Sequence, residues 1–433
     1  MNSAKTVRFV MIMDFFHFIA FMSTKPYLKS MLNAANVSDS AAGFILASYS
    51  LIQFVSAIFL GKWIQKKGHK PQLITAAMFT LVSSVILAFT PLVGKAAGSS
   101  ETLVCAVIIA FCTLLLGTSH GMFILCGNYI ITGLPESEGR DKYVGFFTFT
   151  NSIGQFCGPL LASLLLSKAL IAKSFSGDYF FVMMLAIVTS TAALIFSCII
   201  KNITVTPAAA NAEKAEKKPV KVRDVLADHR LMKIIILNAA YYFSVDVLAT
   251  YTQAFGERTL LLSASSAALI LTVMKFSAIF VRAFLGLLTK IFGSARLLKI
   301  SLFVLALSVF LMGMTGKISA ALAGLGLPLY GTTLTVILIF SLICGFSNGL
   351  VNPLSLVHLS SASTPQNRSS ALALRGMFNS GGQTVGEVSF GFLAGIFGSL
   401  APVFLVSGGM LFGCFLLSFD KKQKKTTDKT ETV

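Results

Sequence analysis

Charge is what this sequence has least of. Only 12% of its 433 residues are Asp, Glu, Lys or Arg, about half of the ~25% usual in a soluble domain. Acidic residues are the scarcer kind, 17 against 35 Lys and Arg. Yet 55% of the chain is apolar and its mean hydropathy is +0.80. In water a chain of this size leaves too much surface wet to hide that many apolar side chains. A soluble fold is excluded, and lipid is the solvent that suits the composition.

Other absences narrow the function. No Gly-rich phosphate-cradling loop is present, which argues against ATP-driven pumping by this chain. No group of catalytic residues gathers at one end of the apolar runs, so no enzyme is expected. The cysteines, at 105, 112, 126, 157, 198, 344 and 414, have neither metal-ligand spacing nor pairing in loops. They read as small apolar packing residues, and no metal is expected. The first apolar run, Val7 to Tyr27, is too long for a signal peptide and has no small-residue cleavage site behind it. The net charge of +18 would suit nucleic acid if the basic residues shared a face. They do not. They form short clusters between apolar runs: Lys62, Lys66, Lys67 and Lys70; Lys214, Lys217, Lys218, Lys221 and Arg223; Lys421, Lys422, Lys424 and Lys425. No nucleic-acid partner is expected.

What the chain does have is long apolar runs. A bilayer core of ~30 Å takes about 20 helical residues, and only a helix or closed barrel satisfies its backbone there. Twelve helical spans are predicted, at 7–29, 41–62, 71–94, 103–133, 143–166, 178–200, 231–255, 263–287, 295–316, 327–360, 369–396 and 400–419. The fold class is all-α and membrane-embedded. An even number of spans returns the chain to its starting side. One set of loops holds the clusters above with Arg140, Lys142, Lys290, Arg296, Lys299 and Arg368; the other holds Lys29, Lys95, Lys173, Arg258 and Lys317. The more basic set marks the cytoplasmic face. The expectation is a multi-pass protein of the plasma (inner) membrane with both termini cytoplasmic. Residues 201–230, rich in Ala, Lys and Glu, form a linker. It parts an N-terminal six-helix bundle, 1–200, from a C-terminal one, 231–420, with a basic tail at 421–433.

The halves repeat one another. At a shift of 228, Gly117, Ser119 and Gly121 meet Gly345, Ser347 and Gly349, and Arg140 meets Arg368. The same shift brings Asn151, Ser152, Gly154, Gln155 and Gly158 onto Asn379, Ser380, Gly382, Gln383 and Gly386. At 225, Gly61 and Gly68 meet Gly286 and Gly293. A parallel six-helix repeat places the halves about an axis along the membrane normal, with the solute between them near mid-depth. The doubled Gly-x-Ser-x-Gly is also the pattern of a hydrolase nucleophile elbow, but that motif needs a strand before it. Small residues at close helix crossings are the better reading.

Gly61-Lys-Trp-Ile-Gln-Lys-Lys-Gly-His-Lys70 follows the second span. It resembles the loop signature of the major facilitator superfamily, with Gln65 where that family usually has Asp. Span five carries Gly145, Gly154 and Gly158-Pro159, spaced as in the family's drug–proton antiporters, with Ala162 and Ser163 where glycines are common. The resemblance covers nearly the whole chain. It implies two pseudo-symmetric bundles and alternating access, driven by a proton gradient with no bound cofactor. A conformational role falls to Gly61, Gln65, Lys66, Gly68, Lys70, Gly145, Gly154, Gly158, Pro159, Arg140 and Arg368. Lys66 and Lys70 can latch helix C-terminal carbonyls or simply anchor the membrane face. The Arg common in span four of such antiporters is absent; Gly117 and His120-Gly121 stand there. Another group must then couple the proton, or coupling is different.

Ionisable residues inside spans are costly and usually face a path or a partner. They are Asp14, His17, His120, Asp246, Lys275, His358 and Glu387. Asp14 and His17 share a helix face, and a shift of 224 puts Asn238 and Tyr241 opposite them, so a polar patch in both halves is expected. Asp14 or His17 would take up a proton. Lys275 would attract an anionic solute group or neutralise Asp246. The plain alternative is internal salt bridging. The function expected is proton-driven export of a small amphipathic or organic-acid-like solute by a monomer. A proton-coupled nutrient importer is the alternative, and a membrane-embedded sensor or enzyme the alternative of another class.

Overall fold

A computed structural model describes residues 3–132, 140–169, 179–200, 226–363 and 368–418. The described chain is helical. The first half holds α1 (Ser3–Met22), α2 (Lys25–Ala34), α3 (Asp39–Lys67), α4 (His69–Ala96), α5 (Glu101–Thr132), α6 (Arg140–Ala169) and α7 (Phe180–Ile199). The second holds α8 (His229–Thr250), α9 (Ala264–Ala283), α10 (Leu285–Phe292), α11 (Ser294–Ala323), α12 (Leu329–Ala362), α13 (Arg368–Phe397) and α14 (Ala401–Leu417). Between α8 and α9 lies a π-helical turn, Phe255–Thr259.

Among the described residues, ten rods are long and apolar enough to cross a membrane, with α1 and α2 together making the first. The apolar 17-residue α14 and the more polar 30-residue α13 complete the twelve expected. α1 breaks at Ser23–Thr24 because Pro26, in the first turn of α2, has no N–H to continue the ladder. Thr24 Oγ1 donates to Ala20 O at 2.8 Å, which satisfies a carbonyl at the break.

In the first bundle α1 packs on α6 and α7, α4 on α5 and α7, and α3 on α5. In the second α8 packs on α13 and α14, α11 on α12 and α14, and α9 on α12. The bundles meet along two seams, α3 with α13 and α6 with α9. The end where α1 starts and α14 stops is called near, the opposite one far.

The repeat reappears as geometry. Ser38 caps α3 by accepting from Ala41 N, and Ser263 caps α9 by accepting from Ser266 N, each offering the hydroxyl that an open helix start needs. Gly68 (φ 80°) and Gly293 (φ 74°) turn the chain at the near end in a conformation that only glycine adopts freely. A Cβ on Gly117 would press on Tyr49 O, and one on Gly345 on Met274 O. Gly154 lies against Phe15 O and Gly382 against Ala239 O; Gly158 against Ile19 O and Gly386 against Phe243 O. The two Gly-x-Ser-x-Gly copies therefore sit inside helices, where they let backbones cross closely.

Gly345→Val should lower the melting temperature of the detergent-purified protein, because its Cβ would lie 2.0 Å from Met274 O and overpacking costs about 1–3 kcal/mol. Gly413→Ala, with no atom within 4 Å of the new carbon, should leave it unchanged. Equal melting temperatures for both would show that the crossing tolerates a side chain.

Several expectations fall outside the described residues: most of the linker 201–230, the tail 421–433, the side chains of Gln65, Lys66, Arg140 and Arg368, and the surroundings of Gly61 and Gly145. Among the cysteines, five are buried, Cys157 is half-buried and Cys198 is exposed at the end of α7, so packing does not account for Cys198.

Candidate functional site

The α3–α13 seam holds the most concentrated charge. Lys25 Nζ, on α2, lies 3.0 Å from Asp246 Oδ1 and 3.7 Å from Glu387 Oε1. The three residues are 4%, 9% and 1% exposed. Glu387 accepts from Ser50 Oγ on one side and Thr250 Oγ1 on the other, both at 3.2 Å. Gln383 Nε2 donates to Asp246 Oδ1 at 3.5 Å, and Lys25 Nζ sits 4.4 Å from the Tyr49 ring centroid. Lys25, Ser50 and Tyr49 belong to the first half, the acids to the second.

Toward the far end the seam stays shut. Lys29 Nζ lies 2.5 Å from Asp39 Oδ1. Arg258 Nη1 donates to both Asp39 oxygens at 2.7 and 2.8 Å. Tyr179 OH donates to Glu257 at 2.6 and 2.7 Å. Gly43 and Gly391 meet backbone to backbone, and Ser163 Oγ donates to Ser265 O at 2.9 Å. Outside this closure a surface hollow of about 900 Å3 is lined in part by Asn33, Asp39, Tyr179, Glu257 and Arg258.

Lys29 was expected in a far-side loop; it is fully buried in α2. Its charge cuts short the apolar run in the sequence, but Asp39 neutralises it in space. Asp246 has Lys25 for its cation, so of the two roles expected of Lys275 the neutralising one is taken by another residue. Lys275 Nζ instead donates to Gln155 Oε1 at 3.1 Å across the α6–α9 seam, where Arg282 Nη1 also donates to Ser152 Oγ at 2.7 Å.

Each half has a buried polar pair at the same place. His17 Nε2 and His120 Nδ1 are 3.1 Å apart; at the repeat positions Tyr241 OH donates to Asn348 Oδ1. Asn238 Nδ2 donates to Asn379 Oδ1 at 2.5 Å. The counterparts of that pair, Asp14 and Asn151, each keep a buried oxygen without a hydrogen-bond partner. The His120 ring stacks on Phe21, centroids 4.2 Å apart, and His17 on Phe123 at 3.7 Å. Lys70 Nζ donates to Cys198 O in the last turn of α7 at 2.7 Å. His358 lines a cavity of about 760 Å3 within the second bundle, with Asn238 and Tyr241.

The family model described as Major Facilitator Superfamily matches residues 10–336 and 317–432. The chain belongs to the major facilitator superfamily. As a member it transports and is not an enzyme. Its relatives include the tetracycline resistance protein, class C, of Escherichia coli, 24% identical over 70% of this chain and 74% of that protein. Multidrug resistance protein 1 of Bacillus subtilis is 24% identical over 34% of this chain, and the match spans only 36% of that protein. Among solved structures, a D-xylose–proton symporter superposes with a TM-score of 0.72 at 17% identity, covering 96% of this chain and 97% of that one. The nucleoside transporter NupG superposes with a TM-score of 0.68 at 14% identity, covering 97% of this chain and all of that one. At such identities these two share the superfamily fold alone.

Three functional candidates escaped the sequence reading: Lys25, Gln155 and Arg282. Basic residues near the ends of apolar runs look like interface anchors, and only the fold shows Lys25 facing two acids. The repeat of Gln155 and Gln383 was the one visible signal among them.

Proposed function

We propose that this transporter exports a small amphipathic or organic-acid-like solute in exchange for protons, by alternating access. The observation that carries the reading is the composition of the buried trio. With every group ionised, Lys25, Asp246 and Glu387 sum to one excess negative charge, which is costly in a membrane interior. One proton makes the trio neutral. The trio lies across the seam between the halves, so opening the far end would part Lys25 from both acids and change their hold on that proton. Only a group whose surroundings differ between two states can bias them.

Outward movement is supported by the span-five glycines and by relatives named for tetracycline and multidrug resistance. Basic near-end loops support a cytoplasmic near side and a plasma-membrane location. The closed far end then excludes a state open to the outside. The proton gradient is the energy source in this reading, and a monomer suffices because both seams lie within one chain.

The test compares metabolites in cells and medium of the native host with and without the gene. A compound that builds up in deleted cells and vanishes from the medium is the expected result and names the solute. A compound left unused in the medium would show import and withdraw the export reading.

A further inference from the structure

Interior charges are not balanced place by place. Lys25, Lys29 and Arg258 each face a carboxylate. Among the described residues, Lys275, Arg282 and Arg375 do not. Their hydrogen bonds go to neutral acceptors: Lys275 to Gln155 Oε1; Arg282 to Ser152 Oγ and, at 3.3 Å, Gly349 O; Arg375 to Asn352 Oδ1 at 2.7 Å and Ser355 Oγ at 3.1 Å. Arg375 Nε is buried with no partner. All three side chains are half-buried rather than sealed.

Their placement is not scattered. Lys275 and Arg282 stand two turns apart on one face of α9 and reach the same seam helix, α6. Arg282 and Arg375 both reach α12, the first at Gly349 O and the second at Asn352 and Ser355, one to two turns further along. Cations within a bilayer are expensive and face a partner or a water-filled path. Here the described residues supply neutral acceptors but no carboxylate, and Lys275 and Arg282 lie on the seam between the halves. A guanidinium fork matches a carboxylate or phosphate through two parallel bonds, while an ammonium adds a mobile point charge.

We propose that the transported solute is an organic anion with at least two acidic oxygen groups, carboxylate or phosphate, bound by Lys275, Arg282 and Arg375. This rests on the transport reading of the seam but not on its direction or on proton coupling.

The test uses the purified full-length protein and its melting temperature with succinate and citrate, with glycerol phosphate and inorganic phosphate, with xylose as a neutral compound and with ethidium as a cation. One anion set should raise the melting temperature, and which set does so distinguishes carboxylate from phosphate. Lys275→Gln and Arg282→Gln should each weaken that binding by about tenfold or more, and Lys275→Arg should keep most of it. Without ligand both Gln variants should melt at or above the parent, since an unpaired interior charge is removed. No shift with any anion, binding unchanged in both Gln variants, or a lower melting temperature without ligand would each overturn the proposal. Anion binding without pH-driven movement in proteoliposomes leaves it standing and removes proton coupling instead. Driven movement of ethidium with no anion bound has the reverse meaning.

Discussion

Lys25→Met should cost the folded protein about 3–5 kcal/mol, the usual loss when one partner of a buried ion pair is removed. The change leaves Asp246 and Glu387 buried without their cation. It also removes the ammonium from the Tyr49 face, a contact of about 0.5–2 kcal/mol. The measurement is unfolding of the detergent-purified protein, run as a double-mutant cycle with Asp246→Asn. Lys25→Met/Asp246→Asn should recover more than half of the loss, because one uncompensated carboxylate goes with the cation. Simple addition of the two single losses would mean that Lys25 and Asp246 do not act as a pair, and the charge argument for the trio would fall with it.

That trio shows where the sequence could be read and where it could not. Lipid leaves the backbone little choice but helix, so apolar runs of span length located the rods. The repeat then did more than count helices. A shift of 228 matched Gly117 with Gly345 and Gly154 with Gly382, and each pair presses on backbone atoms that shifts of 225 and 224 relate. The same shifts set His17 and His120 against Tyr241 and Asn348, and both pairs are hydrogen-bonded. Small and polar residues that recur are legible because one crossing or one bond must be built twice.

The trio is built once. Repeat shifts carry Glu387 onto Pro159, Asp246 onto Met22 and Lys25 onto Ala249, so nothing in one half announces it in the other. Its members lie 221 and 141 positions apart along the chain, and Lys25 stands at a helix break where a basic residue resembles a boundary. Asp39 is hidden in the same way: its partners are Lys29, across a turn, and Arg258, 219 positions on. Asymmetric contacts between the halves need the fold, because neither periodicity nor repetition encodes them.

Glu387→Gln should abolish uphill, pH-driven transport while downhill exchange of the solute continues, and Asp14→Asn should keep both. The two acids are equally buried, each 1% exposed, yet their neighbours differ in kind. Glu387 takes bonds from Ser50 in the first half and Thr250 in the second, with Lys25 at 3.7 Å. Rocking of the halves must change that set. Asp14 lies on α1, which packs against α6 and α7 of its own bundle, and its Oδ2 has no partner. A rigid half carries Asp14 and its surroundings along together, so the motion gives the acid little reason to take or release a proton. Gln at 387 keeps the shape and the hydroxyl contacts, removes the titrating group, and leaves Lys25 neutralised by Asp246 alone. The measurement is solute accumulation against its gradient in proteoliposomes with an imposed pH difference, beside exchange without one. Uphill transport that survives Glu387→Gln and disappears in Asp14→Asn would move the proton site into the first bundle. Coupling would then have to arise from a change within α1 and its neighbours, beside the His17–His120 pair, rather than from the parting of the seam.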